Sequence, residues 1–256
     1  MRDRLHLIEA DLFTIDGLRI RPELCIHLAW YVEPSRYLTA PVNLDYLAAT
    51  LKLARWLAAN GCRRMVGVGT CFEYAESQEA LREDSPTRPG SLYAASKLAA
   101  ANVLQQFCPT ASMEFAWPRL FYQYGPMEDP RRLVPTIING VLRQQRVELT
   151  TGEQVRDFLY VADVASALVH VAESSMTGIV NIGSGQPTTV RNIAETIGEI
   201  LGGTQYLGFG LRPMSAGEPM CIVADNSRLW DQTGWRPEFD LVAGLRQTVE
   251  WWKNNR

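Results

Sequence analysis

Ser91-Leu92-Tyr93-Ala94-Ala95-Ser96-Lys97 opens an alanine- and leucine-rich run that reaches Phe107. Its composition predicts a helix capped by Ser91, whose hydroxyl can accept from a free amide of the first turn. Upstream, Arg64-Met65-Val66-Gly67-Val68-Gly69-Thr70 is an apolar run of strand length, and downstream Met113 to Leu120 (MEFAWPRL) is another. Working further outward, Glu23 to Trp30 (ELCIHLAW) reads as an apolar strand and Leu5 to Leu12 as a short one ending in Asp11-Leu12. A helix is predicted from Val42 to Asn60, closed by Gly61 as its left-handed cap. Strands alternating with helices at this spacing predict an α/β fold with a parallel, doubly wound sheet. Such sheets bind ligands at the carboxyl ends of their strands. His27-Leu28-Ala29-Trp30, Thr70 and Pro118-Arg119 all fall at such ends.

Beyond residue 125 the pattern loosens. Helices are predicted at Leu133 to Gln144, Asp163 to Glu173, Thr189 to Leu201 and Leu241 to Trp251, with short strands at Val147 to Thr150, Asp157 to Val161 and Ile179 to Ile182. The 256 residues, 46% hydrophobic and 21% charged, are enough for a well-filled core. A net charge of −3 with scattered arginines gives no basic stripe, which argues against a nucleic-acid partner. No apolar run approaches a membrane span, and the first residues lack the apolar segment of a signal peptide, so the reading is a cytoplasmic protein with no membrane partner. Cys25, Cys62, Cys71, Cys108 and Cys221 are odd in number and unpaired in spacing. They read as reduced thiols rather than a disulfide frame or zinc site. His6, His27 and His170 lie far apart and read as structural, so no metal is expected.

Tyrosine at position 93 and lysine at 97 share one helix face, one turn apart. A phenol in water has a pKa of about 10, too high for efficient proton exchange near neutrality. An adjacent ammonium favours the phenolate and so makes the tyrosine a usable acid or base. Lysine is scarce: Lys52, Lys97 and Lys253 are the three lysines among 25 basic residues. The alternative for such a pair is a solvated helix face.

These residues keep company with Cys71-Phe72-Glu73-Tyr74, with Ala116 to Pro126 (AWPRLFYQYGP) and with Val155 to Val164 (VRDFLYVADV). In that order and at those intervals, the chain resembles the extended short-chain dehydrogenase/reductase family, in its nucleotide-sugar epimerase, dehydratase and ketoreductase branch. The resemblance implies a Rossmann-like core over residues 1–125. Residues 126–256 would then hold the last core strands interleaved with a small α/β substrate lobe. It implies NAD or NADP as cofactor, a nucleoside-diphosphate sugar as substrate, and a homodimer built on the helix after Pro41 and the helix carrying Tyr93. By resemblance, Thr70 polarises the reacting sugar oxygen, Tyr93 exchanges a proton with it, and Lys97 lowers the Tyr93 pKa and holds the nicotinamide ribose. Asp11 and Leu12 resemble adenine contacts. Leu28, Ala29, Trp30 and Pro118 lie where the cofactor passes, and Asn43 matches a structural asparagine near the site. Arg156 matches an arginine that grips the substrate diphosphate, with an ordinary ion pair to Asp157 or Asp163 as the alternative. Arg212 is a second diphosphate candidate. Tyr122 stands at a sugar contact where the family usually has asparagine. Cys71 and Phe72 border the substrate in the place of the Asp-Glu pair of the 4,6-dehydratases, so 4-keto reduction or epimerisation is expected rather than dehydration.

The family opens with a strand, a glycine-rich G-x-x-G-x-x-G turn and a helix that cradle the cofactor pyrophosphate. No such turn occurs in this sequence: Gly67-Val68-Gly69 lies inside a strand, and Gly183-Ser184-Gly185 comes far downstream. The sequence is therefore expected to begin just before the family's third strand, leaving Leu5–Leu12 without its neighbour and the edge at Glu23–Trp30 open. The alternative function is that of a non-catalytic relative or fragment, which holds a nucleotide sugar through Arg156 or pairs with a partner subunit.

Overall fold

The computed structural model describes residues 5–215 and 217–255. In chain order it contains β1 (Leu24–His27), α1 (Val42–Ala59), β2 (Arg64–Gly67), β3 (Gly69–Thr70), α2 (Leu92–Thr110), β4 (Glu114–Leu120), β5 (Tyr122–Tyr124), α3 (Leu133–Leu142), β6 (Val147–Glu148), β7 (Val155–Tyr160), α4 (Val161–Glu173) and β8 (Gly178–Ile182). There follow β9 (Pro187–Thr189), α5 (Val190–Leu201), β10 (Leu207–Gly208), β11 (Cys221–Ile222), α6 (Ser227–Thr233) and α7 (Leu241–Asn254).

The main sheet is parallel throughout. β1 pairs with β2, β2 and β3 both pair with β4 as two halves of one extended stretch, and β8 closes the far side of β4. Alternate residues of these strands point to opposite faces. Met65, Phe115 and Trp117 pack beneath Leu53 and Leu57 of α1 and Leu104 of α2. Val66, Ala116 and Val180 pack against Val164, Leu168 and Val171 of α4. Helices thus cover both faces, as the alternating pattern predicts for a doubly wound sheet.

The caps explain where the helices begin and end. The Ser91 hydroxyl accepts from Ala94 N at 3.2 Å and starts α2. Gly61, with φ of +80°, follows the last turn of α1 in the left-handed conformation that glycine adopts at little cost.

Around β7 a second, mixed sheet forms, with β5 and β11 parallel to it and β9 antiparallel. Its aromatic residues Tyr124, Phe158 and Tyr160 share a core with Ile137 of α3, Ile193 and Ile197 of α5, and Leu245 and Val249 of α7. This sheet and these helices form the second lobe.

The predicted strand Leu5–Leu12 is not a strand. Residues 5–11 are irregular, and Leu12–Gly17 is a 3₁₀ turn that Asp11 starts by accepting from Phe13 N at 3.0 Å. A strand needs a ladder partner for its amides. Among the described residues none lies beside this segment, and Leu5, Leu7 and Ile8 face solvent. The strand predicted for Glu23–Trp30 is realised over Leu24–His27, and its outer edge meets no strand among the described residues.

Candidate active site

The carboxyl ends of β1, β3 and β4 open onto a cleft of about 980 Å3 between the two lobes. Thr70 ends β3 there. Its hydroxyl accepts from Phe72 N at 3.3 Å and begins the 3₁₀ turn Cys71–Glu73. The glycines before it have a packing reason: a Cβ on Gly67 would come within 2.6 Å of the Trp117 indole, and one on Gly69 would run into the same ring. Trp117 lies across this strand, so only glycine fits at both positions.

Tyr93 and Lys97 reach the cleft from the first turns of α2, both buried. Lys97 Nζ donates to Val68 O at 2.7 Å, and it lies 4.0 Å from the centre of a Trp30 ring. Trp30 is itself fixed by donating Nε1–H to Asn43 Oδ1 at 2.8 Å. Asn43 donates in turn to Tyr37 O and Ala40 O, which makes it the structural asparagine the sequence suggests. Tyr37 packs edge-on against Tyr93, ring centres 4.9 Å apart.

The electrostatics differ from expectation in one respect. Burial, with Tyr37 adding to it, pushes the Tyr93 phenol well above its ordinary range, while a hydrogen-bonding contribution from the Thr70 side chain works the other way. The expected lowering by Lys97 does not appear. Lys97 Nζ is 6.0 Å from the Tyr93 ring centre and spends its charge on Val68 O and the Trp30 face, and burial lowers its own pKa to about 7, with Glu73 opposing. Desolvation outweighs the one-turn spacing.

Arginines and carboxylates also line the cleft. Arg156, buried on β7, donates to Glu218 Oε1 at 3.1 Å and lies over the Tyr122 ring. Its carboxylate partner is neither of the two that the sequence suggests. Asp157 is taken up by Ser184, by Gly185 N at 2.9 Å and by Ala224 N at 3.1 Å, and Asp163 by the amides of Glu238 and Phe239. The Gly183-Ser184-Gly185 turn therefore closes on an internal carboxylate. Arg212 also lines the cleft, as do Cys71, Phe72 and Tyr122. Burial raises the Cys71 thiol to about 12, and Phe72 packs edge-on against Tyr122.

The structure thus gathers Leu28, Trp30, Thr70, Cys71, Phe72, Tyr93, Lys97, Tyr122, Arg156 and Arg212 around one space. Four of the cofactor candidates stand apart. Asp11 caps the first 3₁₀ turn, Leu12 packs under α1, Ala29 is exposed outside the cleft lining, and Pro118 is buried within β4 beside Val180.

A model of the NAD dependent epimerase/dehydratase family matches residues 1–183. The chain belongs to this family. UDP-glucose 4-epimerase from Mycolicibacterium smegmatis is 27% identical over 268 residues, spanning 98% of this chain and 84% of that protein. The UDP-glucose 4-epimerase of Thermus thermophilus, solved in complex with NAD, matches at a TM-score of 0.85 and 27% identity, over 96% of this chain and 84% of that one. RMD from Pseudomonas aeruginosa, complexed with NADPH, matches at a TM-score of 0.88 and 26% identity, over 97% and 89%.

Three further features of this family member lie at the cleft or under it. Arg131 and Arg132 line the cleft from the loop before α3, Arg131 paired with Asp129 and Glu33 and Arg132 lying over the Tyr37 ring. Glu128 lines it too; burial pushes its carboxyl up to about 7 against the pull of Arg132, and its Oε2 has no hydrogen-bond partner. Glu73 lies fully buried beneath Thr70. The run Glu128-Asp129-Pro130-Arg131-Arg132 carried the only signal, as a charged loop directly after Tyr124-Gly125-Pro126. Among the described residues no cluster of His, Cys, Asp and Glu is arranged to hold a metal, and no helix is long and apolar enough to cross a membrane.

The residues present suit a nicotinamide nucleotide. Lys97 lines the cleft with its ammonium held by Val68 O, and Leu28, Trp30 and Leu120 add apolar surface for a flat ring.

Proposed function

We propose that this enzyme modifies nucleoside-diphosphate sugars with NAD(P), by 4-keto reduction or 4-epimerisation. One observation carries the reading: a single cleft is lined both by the buried Thr70–Tyr93–Lys97 group and by the guanidinium groups of Arg131, Arg132, Arg156 and Arg212. A nucleotide sugar is the molecule with matching ends, a neutral sugar hydroxyl or ketone joined to a diphosphate. Guanidinium forks bind phosphate oxygens in pairs.

The cofactor, when bound, supplies the hydride acceptor or donor. Lys97 and the apolar wall at Leu28 and Trp30 would hold it. Tyr93, kept as a phenol by burial, delivers its proton to the sugar O4 as a ketone there is reduced, and takes a proton back in the reverse direction. Thr70 donates a hydrogen bond to the same oxygen and polarises it. Lys97, whose Nζ lies 6.0 Å from the Tyr93 ring centre, would add its positive charge at longer range to the phenolate left on Tyr93. Cys71 and Phe72 offer no proton exchange beside the sugar, which disfavours elimination of water. The relatives named as UDP-glucose 4-epimerases, and those solved with NAD or NADPH, support the same chemistry.

The test begins with isothermal titration of NAD and NADPH separately, then incubation with UDP-glucose and UDP-galactose, and with a dTDP-4-keto sugar plus NADPH. Micromolar cofactor binding with interconversion of the UDP-sugars or consumption of NADPH is expected. Absence of binding at millimolar cofactor overturns the reading. We further infer a homodimer through α1 and α2, which pack side by side and expose Leu44 and Val103; a monomer in light scattering would sink this.

A further inference from the structure

Beneath Thr70 lies a charged floor that the proposed chemistry does not use directly. The Glu73 side chain is fully buried, and its partner Arg119 is 3% exposed, with Nε donating to Oε2 at 2.7 Å. Glu73 Oε1 accepts from the Thr70 main-chain N–H at 3.0 Å. Trp117 Nε1, on the strand beside it, donates to Oε1 at 3.0 Å and reaches Oε2 at 3.3 Å. Arg119 lies over the Tyr74 ring, 4.2 Å from its centre, and the Tyr74 hydroxyl donates to Asn181 Oδ1 at 2.7 Å. Every polar atom of the carboxylate is therefore committed.

Satisfying one amide and one indole does not require a charge. A neutral glutamine would accept the same bonds, and burying an ion pair is no reliable source of stability. The charge has a second effect. The pair is a dipole with its negative end under Thr70 and its positive end against Tyr74. The Glu73 charge favours the ammonium of Lys97 against desolvation. The other titratable groups around Lys97 are His27 on β1, which burial and Lys97 push down to about 4, and Tyr93 on α2. Cys71 stays a thiol, since burial raises it to about 12, and Tyr74 is likewise held as a phenol by burial. Glu73 is the carboxylate that acts on Lys97.

We propose that Glu73 is a positioning residue of this site: it clamps the Thr70 main chain from below and, braced by Arg119, sets the charge beneath Thr70, Tyr93 and Lys97. The inference rests on the proposed function, which makes that group the reacting end of the cleft. Glu73 thus holds the Thr70 backbone, and with it the place of the hydroxyl, whose oxygen accepts from Phe72 N.

Glu73→Gln alone leaves Arg119 buried without its partner, so the decisive variant is Glu73→Gln with Arg119→Gln, which keeps the shape and removes both charges. Its fold is checked by circular dichroism. With three lysines in the chain, isotope-labelled lysine gives side-chain NMR signals that Lys52→Arg and Lys253→Arg assign. The Lys97 titration is expected to move to lower pH, with roughly tenfold weaker proton binding. In turnover, kcat should fall roughly 10- to 100-fold with KM within about threefold, and the alkaline limb of the kcat profile should move to lower pH. A folded double variant with an unmoved Lys97 titration and wild-type kcat overturns the proposal. If the wild type turns over no nucleotide sugar, the functional reading fails, while the Lys97 titration still decides whether Glu73 governs the group.

Discussion

Tyr93 is buried between Thr70 and Tyr37, and the burial that hinders its ionisation keeps it a phenol, the form that the proposed proton donor needs. For a site that places hydrogen on a sugar ketone, the phenol is the form needed at neutral pH. Replacing it with phenylalanine removes the proton and little else. Tyr93→Phe should therefore lower kcat by about 10²- to 10⁴-fold, with KM for a nucleotide sugar little changed and an unaltered circular dichroism spectrum. A variant within about threefold of wild-type kcat would exclude Tyr93 as the proton donor. Arg156, proposed as a diphosphate contact, should fail differently. Arg156→Ala is expected to raise KM by roughly 10-fold or more while kcat falls less, because in the proposed function the guanidinium grips a diphosphate that does not change during reaction. An equal fall in kcat, with KM unmoved, would place Arg156 outside the substrate site.

The elements show where sequence and structure part company. Helices α1 and α2 are legible because local chemistry sets their ends: the Ser91 hydroxyl on Ala94 N and the left-handed Gly61 are written into a few adjacent residues. Strands β2 to β4 are legible because burial on both faces makes them continuous apolar runs. Leu5 to Leu12 has a similar composition yet forms no strand, since a strand is defined by its neighbour rather than by its own side chains. The Tyr93–Lys97 spacing puts both residues on one helix face, and both line the cleft, but Glu73 and Arg119 lie 46 positions apart and meet only when β3 and β4 pair. The sign of the Tyr93 shift was likewise invisible, because burial is a property of the packed molecule. Gly69 joins both kinds of information: the sequence shows a glycine in a strand, and the structure shows Trp117 and Glu73 filling the space of a Cβ. Gly69→Ala should cost roughly 1–3 kcal/mol through overpacking and disturb Thr70, the next residue. Thermal unfolding together with kcat would show both losses; an unchanged midpoint would mean that Trp117 moves aside freely.

The buried charges of the whole molecule set a pH dependence whose sign can be worked out group by group. His27 is lowered to about 4, so the unfolded chain binds more protons between there and about 6.5, and stability contributed by His27 is lost as pH falls through that window. Glu128, raised to about 7, works oppositely over much of the same range, losing stability as pH rises from about 4.5, so the two offset one another. From about pH 7 to about pH 9 the field is clearer. Lys97 is lowered from 10.5 to about 7, and the buried thiols Cys25, Cys71 and Cys108 begin to lose stability only as pH rises beyond their ordinary value of 9.0. In that window the unfolded state holds a proton on Lys97 that the folded state has given up, so stability should rise with pH. The ceiling is on the order of 2 kcal/mol, or several degrees in the unfolding midpoint. Turnover should run the other way, because a neutral Lys97 no longer supports the phenolate left on Tyr93. Differential scanning calorimetry of the wild type and Lys97→Met across this range, beside the wild-type kcat profile, tests both halves. A rise in the midpoint that persists in Lys97→Met would assign the effect to another group, and a flat wild-type curve would mean that Glu73 keeps Lys97 charged throughout.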